Sequence, residues 1–404
     1  MTIAEDGLLN RPAYSKLKPT RKMRICYLAD GRYVHAHRWL KFFSERGHDM
    51  SLLSFAPMQP HHVRAVENSG ARYLGELDLV HLKRFWRTAS QWRGLRKIFR
   101  RERIDIVHSH FLTSNAWYAA LSGFHPAVIT VMGGDILGDD WRPGEDVRER
   151  WLTPFALRNA DLITCWSTKL TNVVRQYARP DTPVEVIHGG VDTDRFQPGP
   201  KPERLYQLLD IPRHAKILLS PRLMRPLYNL DKIALAAEII WAAEPETYFL
   251  FAVLPEAKDL VYEQSVREIL SRDGSNRVRF LDAIGHDEMP EYYRFADVTI
   301  SIPSSDGTPM SVLESLACGT PVVVSDIENY DSDYIERDQT ALFANPESVE
   351  SVADAVLTLM RDRTVASRLA TEGRRRVNSN GSYEAQMSRM EELYYALAPA
   401  AKAV

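Results

Sequence analysis

Short apolar runs alternate along the chain with longer stretches whose apolar positions recur every three to four residues. This is the pattern of strand–helix units wound around parallel sheets. The runs predict strands at Arg24–Leu28, Met50–Phe55, Ile104–His108, Val128–Val131, Leu162–Cys165 and Val184–Ile187. A second predicted series follows at Lys216–Leu219, Tyr248–Val253, Val278–Leu281, Val298–Ile302 and Pro321–Val324. Helices are predicted from His35 to Arg46 and from Asp231 to Ala243, the latter because Ile233, Ala237 and Ile240 repeat at helical spacing. Between the two series, residues 188–200 are dense in glycine and proline and mark a boundary. The expectation is an α/β chain with two doubly wound domains, 23–190 and 191–382. A polar tail, 1–22, precedes them, and a helix within 383–404, with no strand after it, is free to pack back on the N-terminal domain. Ligands of open α/β sheets sit beyond the carboxyl ends of the strands, so chemistry is expected in a cleft between two such domains.

Composition narrows the function. The 404 residues carry 51 Lys plus Arg against 53 Asp plus Glu, a net charge of -2. A dedicated nucleic-acid binder leans basic, and no nucleic-acid partner is expected. Hydrophobic residues at 45% and charged ones at 26% are ordinary globular values, which excludes wholesale disorder. Cys26, Cys165 and Cys318 are far apart and odd in number, so neither a disulfide framework nor a zinc site is implied. No run reaches the roughly 18 apolar residues of a membrane span, and the first 24 residues lack a signal peptide's apolar core. A cytoplasmic location is expected.

The stretch richest in chemistry runs from Ser304 to Pro321, S-S-D-G-T-P-M-S-V-L-E-S-L-A-C-G-T-P. It follows a predicted strand, and Thr308 then Pro309 read as the N-cap and first residue of a helix. The N–H groups at such a helix start make an anion site suited to a diphosphate. Glu314 lies a turn and a half further on, with Met310, Ser311, Ala317 and Cys318 as its helical neighbours, so its carboxylate is expected to be half-buried and in need of partners. A pair of ribose hydroxyls would serve; the alternative is a capped core helix with one internally satisfied Glu.

Several motifs together resemble glycosyltransferase family 4, retaining enzymes of the GT-B fold. These are Asp306 and Glu314 with seven residues between them, the G-x-P-x-x-x-x-E-x-x-A-x-G-x-P frame, and the hinge H-G-G-V-D-T-D-R-F-Q-P. The order of A-D-G-R-Y-V-H-A-H-R-W, D-I-V-H-S-H (105–110) and V-M-G-G-D-I-L (131–137) carries the likeness over nearly the whole chain. The resemblance implies a retaining transfer of a sugar from a UDP- or GDP-linked donor to a hydroxyl acceptor in polysaccharide or glycoconjugate assembly, with no cofactor and no metal. Glu314 would bind the donor ribose, and Asp306 with the backbone of Gly307, Thr308, Pro309 and Met310 would meet the donor sugar and phosphates. Gly31 would let the phosphates approach, and Arg222 would clamp them, its rigid fork suiting phosphate oxygens; its alternative is a surface Arg. His35, His110 and Asp135 are acceptor-side candidates, a structural role being the alternative for each, and His37 reads as a helix-surface residue. On the catalytic side the resemblance implies Arg222, Asp306, His110 and Asp135.

Three positions depart from the family pattern. Asp306 stands where glutamate is commoner, Gly134 replaces a serine, and Leu227 occupies the place of the usual phosphate-binding lysine. Arg225, Tyr228 and Asn229 are therefore further donor-binding candidates. Two other readings remain: a GT-B nucleotide-sugar epimerase, or a non-catalytic nucleotide-sugar-binding homologue.

Between Lys83 and Arg103, nine Lys or Arg stand against one acid, Glu102, while Leu82, Phe85, Trp86, Ala89, Trp92, Leu95 and Phe99 recur at helical spacing. This reads as an anionic membrane surface contact, peripheral on the inner face, or as a packed helix with a solvated basic face.

Overall fold

The computed structural model describes residues 21–77, 85–133, 136, 147–253, 259–271, 275–282, 284–328 and 330–397. The first sheet is built from β1 (Arg24–Ala29), β2 (Asp49–Ser54), β3 (Arg72–Glu76), β4 (Ile106–His110), β5 (Ala127–Val131), β6 (Leu162–Cys165) and β7 (Val184–Val186). Every pairing in it is parallel, in the order β3-β2-β1-β4-β5-β6-β7. Strands buried on both faces read as continuous apolar runs, and β1 is buried at every position after its first. The links are α1 (Val34–Glu45), α2 (Pro60–Asn68), α3 (Phe85–Arg101), α4 (Ser114–Ser122), α5 (Val147–Arg158) and α6 (Thr168–Arg175). β4 runs two residues later than the apolar run predicts, so that His110 joins His108 in the strand and is its last residue.

The second sheet is also parallel, in the order β10-β9-β8-β11-β12-β13. Its elements are α7 (Glu203–Leu208), β8 (Lys216–Ser220), α8 (Leu230–Ala243), β9 (Thr247–Val253), α9 (Leu260–Ser271), β10 (Val278–Asp282), α10 (Met289–Phe295), β11 (Val298–Ser301), α11 (Met310–Ala317), β12 (Val322–Ser325) and β13 (Leu342–Ala344). After it come α12 (Val349–Arg361), α13 (Arg363–Arg376) and α14 (Tyr383–Leu397). The strand alternation divides the core: Leu218 packs with Ile233, Ala237 and Ile240 of α8, whereas Ile217 and Leu219 pack with Val312, Leu313 and Leu316 of α11. Each of these Leu, Ile and Val side chains contributes about 1.5–3 kcal/mol by leaving water.

The chain divides into two compact units, one of residues 1–165, 170–187 and 387–404, the other of 166–169 and 188–386. Within the first, α14 is fixed to the sheet: the Tyr394 hydroxyl lies 2.8 Å from that of Tyr27 and 2.5 Å from His108 Nδ1. In each unit the strand order reverses once, between β1 and β4 and between β8 and β11. These switch points are where a parallel sheet leaves room for a ligand, and the loops after β8 and β11 carry Arg222 and Asp306.

Lys83 and the side chains of residues 85–92 lie outside the described residues. Of the rest of α3, Leu95 and Phe99 are fully buried while Arg93, Arg96, Lys97, Arg100 and Arg101 are exposed. Among the described residues, no helix is long and apolar enough to cross a membrane.

Candidate functional site

Arg222 follows β8 through Pro221, and its guanidinium turns inward. Nη2 donates to Asp306 Oδ2 at 2.7 Å, Nη1 donates to Ser311 Oγ at 3.0 Å, and Cζ sits 4.3 Å from the centroid of the Tyr228 ring. Burial works against the charge, but Asp306, with Tyr228 and Tyr330, outweighs it and holds the pKa above the ordinary arginine value. The arginine is therefore an inward-facing, pinned cation, which disposes of the surface reading. Asp306 Oδ1 accepts the Gly307 N–H at 2.8 Å, so one carboxylate both clamps the arginine and folds its own loop.

The helix start differs from expectation by one residue. Pro309, not Thr308, is the N-cap, with extended φ/ψ of -70/108. Its carbonyl accepts from Val312 and Leu313, which leaves the N–H groups of Met310 and Ser311 outside the helix ladder. A proline loses nothing at the cap, because a donor there would be unused in any case. The Thr308 hydroxyl is buried, has no hydrogen-bond partner among the described residues and does not cap the helix.

Glu314 is more deeply buried than the half-burial its helical neighbours suggest, its side chain 11% exposed. The partners come from elsewhere in the fold: His286 Nε2 donates to Oε1 at 2.9 Å, and the Tyr293 hydroxyl of α10 donates to Oε2 at 3.1 Å. Burial, then the neighbouring Glu314 charge, drives the Tyr293 pKa far above its ordinary value, so the phenol stays a donor.

Between β8 and α8, Arg225 takes the extended backbone that a following proline demands, φ/ψ -139/147, and its side chain is exposed. Pro226–Tyr228 then form one 3-10 turn ending at Asn229 in the left-handed region, φ 52. Asn229 Nδ2 donates to the Ile302 carbonyl at 2.8 Å and to Ser304 Oγ at 3.1 Å, and the Leu227 carbonyl accepts the Ser304 N–H at 2.9 Å. These bonds join the loop after β8 to the loop after β11, so Asn229 is engaged in holding the site together while Tyr228 lies under Arg222.

In the first unit, a Cβ on Gly31 would fall 2.6 Å from Met58 Cε and 2.8 Å from Leu52 Cδ2, so a larger residue there would have to displace these two side-chain tips. Its N–H donates to Ser54 Oγ at 3.2 Å and its carbonyl lies 2.6 Å from His37 Nε2. His37 is thus the tether of this loop and not the surface residue that its helical position suggests. His110 is enclosed by the rings of Tyr27, Trp39 and His108, with neither ring nitrogen hydrogen-bonded among the described residues. Burial, then the charge of half-buried His35, lowers its pKa to about 3. Asp135 and Gly134 lie outside the described residues.

Sequence reasoning singled out none of His286, Tyr293 or Tyr330; all three reach the site from elements remote in sequence, and no local spacing marks them. Among the described residues, no group of three or more His, Cys, Asp or Glu is arranged to hold a metal ion.

Two Rossmann-like parallel sheets, with a clamped arginine and a helix start at the switch point of the second, define the class as a two-domain α/β protein of the GT-B kind. Residues 30–195 match Glycosyltransferase Family 4 and residues 207–376 match Glycosyl transferases group 1; the chain belongs to these glycosyltransferase families. It is 28% identical over 236 residues to D-inositol 3-phosphate glycosyltransferase 2 of Catenulispora acidiphila, covering 55% of this chain and 54% of that protein. The chain thus spans about half the length of the curated relatives of this kind that it matches. A glycosyltransferase from Rickettsia africae superposes with a TM-score of 0.77 at 16% identity, over 93% of this chain and 98% of that one. An Anabaena protein in complex with UDP-glucose gives 0.74 at 16% identity, over 93% and 100%.

Proposed function

We propose that the protein is a retaining glycosyltransferase that moves a sugar from a UDP- or GDP-linked donor to a hydroxyl acceptor in polysaccharide or glycoconjugate assembly. The observation that carries this reading is the Arg222–Asp306–Ser311 cluster at the start of α11, with the Glu314 carboxylate on the same helix. The glycosyltransferase names of its relatives and the UDP-glucose bound by the Anabaena protein support it.

The donor diphosphate leaves from the anomeric carbon as the acceptor hydroxyl oxygen bonds to the same face. The acceptor's proton passes to the departing phosphate oxygen, so no carboxylate nucleophile is required. What the protein supplies is fixed positive charge where the leaving group becomes more negative: Arg222 and the N–H groups of Met310 and Ser311. Glu314 receives the ribose hydroxyls and takes no part as a base. His35 and Asp135 serve the acceptor, whereas His110, enclosed by the Tyr27, Trp39 and His108 rings, takes the structural role instead. In the Lys83 to Arg103 stretch, Leu95 and Phe99 are buried and Arg93, Arg96 and Arg100 exposed, so a packed helix with a solvated basic face is the first reading and contact with anionic lipid the second.

The test is a binding and turnover panel of UDP-, GDP- and ADP-sugars with and without acceptor, followed by NMR of the anomeric product. One donor is expected to bind, and the product is expected to keep the donor's anomeric configuration. An inverted product overturns the retaining reading. Glu314→Ala should weaken donor binding by about 1–3 kcal/mol; wild-type affinity in a folded variant would remove its ribose role. Leu227 favours one rival, a binding homologue without turnover, and donor binding with no transfer to any acceptor would establish it.

A further inference from the structure

Resting on the reading of Glu314 as the ribose ligand, we propose that His286 is the positioning residue of the nucleotide pocket, fixing the carboxylate so that one lone pair on each oxygen faces the ribose diol. Glu314 is a buried anion, and among the described residues no Lys or Arg pairs with it; its two partners are His286 and Tyr293. An anion in that setting is costly unless its oxygens are hydrogen-bonded. Each carboxylate oxygen accepts two hydrogen bonds. His286 takes one place on Oε1 and Tyr293 one on Oε2. The remaining places lie on two oxygens of one rigid plane, the pattern that two adjacent hydroxyls on a ribose match. A carboxylate free to rotate would lose that match and the entropy of regaining it.

The two donors differ in kind. Tyr293 is fully buried in the core beside α11, its ring 6.0 Å from that of Phe196, and belongs to the packing of the unit. His286 stands on the short loop before α10 with its side chain 35% exposed, steadied by the Phe196 ring at 5.2 Å. It therefore contributes less to the core, and its bond to Oε1 is the contact whose loss alters the orientation of Glu314 rather than the fold.

The experiment is calorimetry of UDP, GDP and their 2′-deoxy counterparts on the full chain, in wild type, His286→Ala and His286→Gln, with melting temperatures alongside. Wild type should prefer the ribose form of the nucleotide it binds. In His286→Ala the affinity for that form should fall about tenfold while the deoxy form changes little, because the lost interaction is a hydrogen bond to a charged group. His286→Gln, whose amide donates from nearly the same place as Nε2, should recover most of the preference. Should the alanine variant melt early, His286→Asn, with an amide too short to reach Oε1, makes the same comparison. A folded His286→Ala that discriminates as wild type does overturns the proposal and leaves the ribose reading intact. A wild type that binds ribose and deoxyribose forms equally, or binds neither, overturns the ribose reading and this proposal with it.

Discussion

Arg222 and Asp306 form an ion pair at 2.7 Å with side chains only 11% and 17% exposed. The residue most suited to meet a diphosphate is already balanced by one carboxylate, so the local charge available to the leaving group is smaller than one arginine suggests. Removing one member of a shielded pair strands the other. Asp306→Ala should cost about 3 kcal/mol of stability, read as a shift in the urea midpoint with an unchanged slope. A midpoint within about 0.5 kcal/mol of wild type would mean that solvent screens the pair.

The same balance raises the demand on a second cation. Arg225 is three residues away and its backbone is extended ahead of Pro226. Arg225→Ala is expected to lower turnover by one or more orders of magnitude, about 1.4 kcal/mol of transition-state stabilisation for each. Adding Leu227→Lys should return part of it. Turnover equal to wild type in the single variant would assign Arg225 to the surface.

Because the protein's own groups are proposed to supply the positive charge, turnover should persist in excess EDTA. Activity lost to the chelator and regained with Mg²⁺ or Mn²⁺ would transfer that role to a metal ion.

Stability should depend on acid in a definite direction. His110 is held neutral, with a pKa of about 3 against an ordinary 6.5. The unfolded chain therefore takes up a proton below pH 6.5 that the folded chain refuses. The stabilisation is complete above 6.5 and is lost as pH falls toward 3, by at most about 1.4 kcal/mol per pH unit for this one group. The wild-type melting temperature should drop between pH 6.5 and 4, and His110→Leu should show a shallower decline. Parallel pH curves for the two proteins would contradict the argument.

Gly190 has φ of +65, and a Cβ there would lie 2.4 Å from Tyr383 Cα and 2.8 Å from its nitrogen. Backbone cannot move aside as a side-chain tip does. Gly190→Ala should destabilise by about 2–4 kcal/mol, measurable by thermal melting; a loss under about 0.5 kcal/mol would show that this crossing of the chain yields easily.

What was legible in the sequence follows from what a local pattern records. Runs buried on both faces, such as those that form β1 and β12, were plain to read. β3 and β13 were not: the first has exposed residues at both ends and a shift of register opposite Leu53, where Gly75 takes φ +127, and the second is three residues long. The acids Asp306 and Glu314 were found because their spacing lies on one loop and one helix. Their partners are 84 residues away for Asp306 and 28 and 21 for Glu314. No periodicity spans such distances. His37 misled because its position on α1 says nothing about the loop carbonyl that folds back over it.

The bond between the Tyr27 and Tyr394 hydroxyls joins residues 367 positions apart. On a ribosome adding about 5–20 residues per second, Tyr394 is made some 20–70 s after Tyr27. From the synthesis of β7 until then, His108 Nδ1 and the Tyr27 hydroxyl wait for the partner that later closes over them. The first unit is thus the earliest begun and among the last finished. Released chains truncated after residue 386 should present an open, protease-sensitive first sheet, while the second unit, complete by residue 386, already resists cleavage.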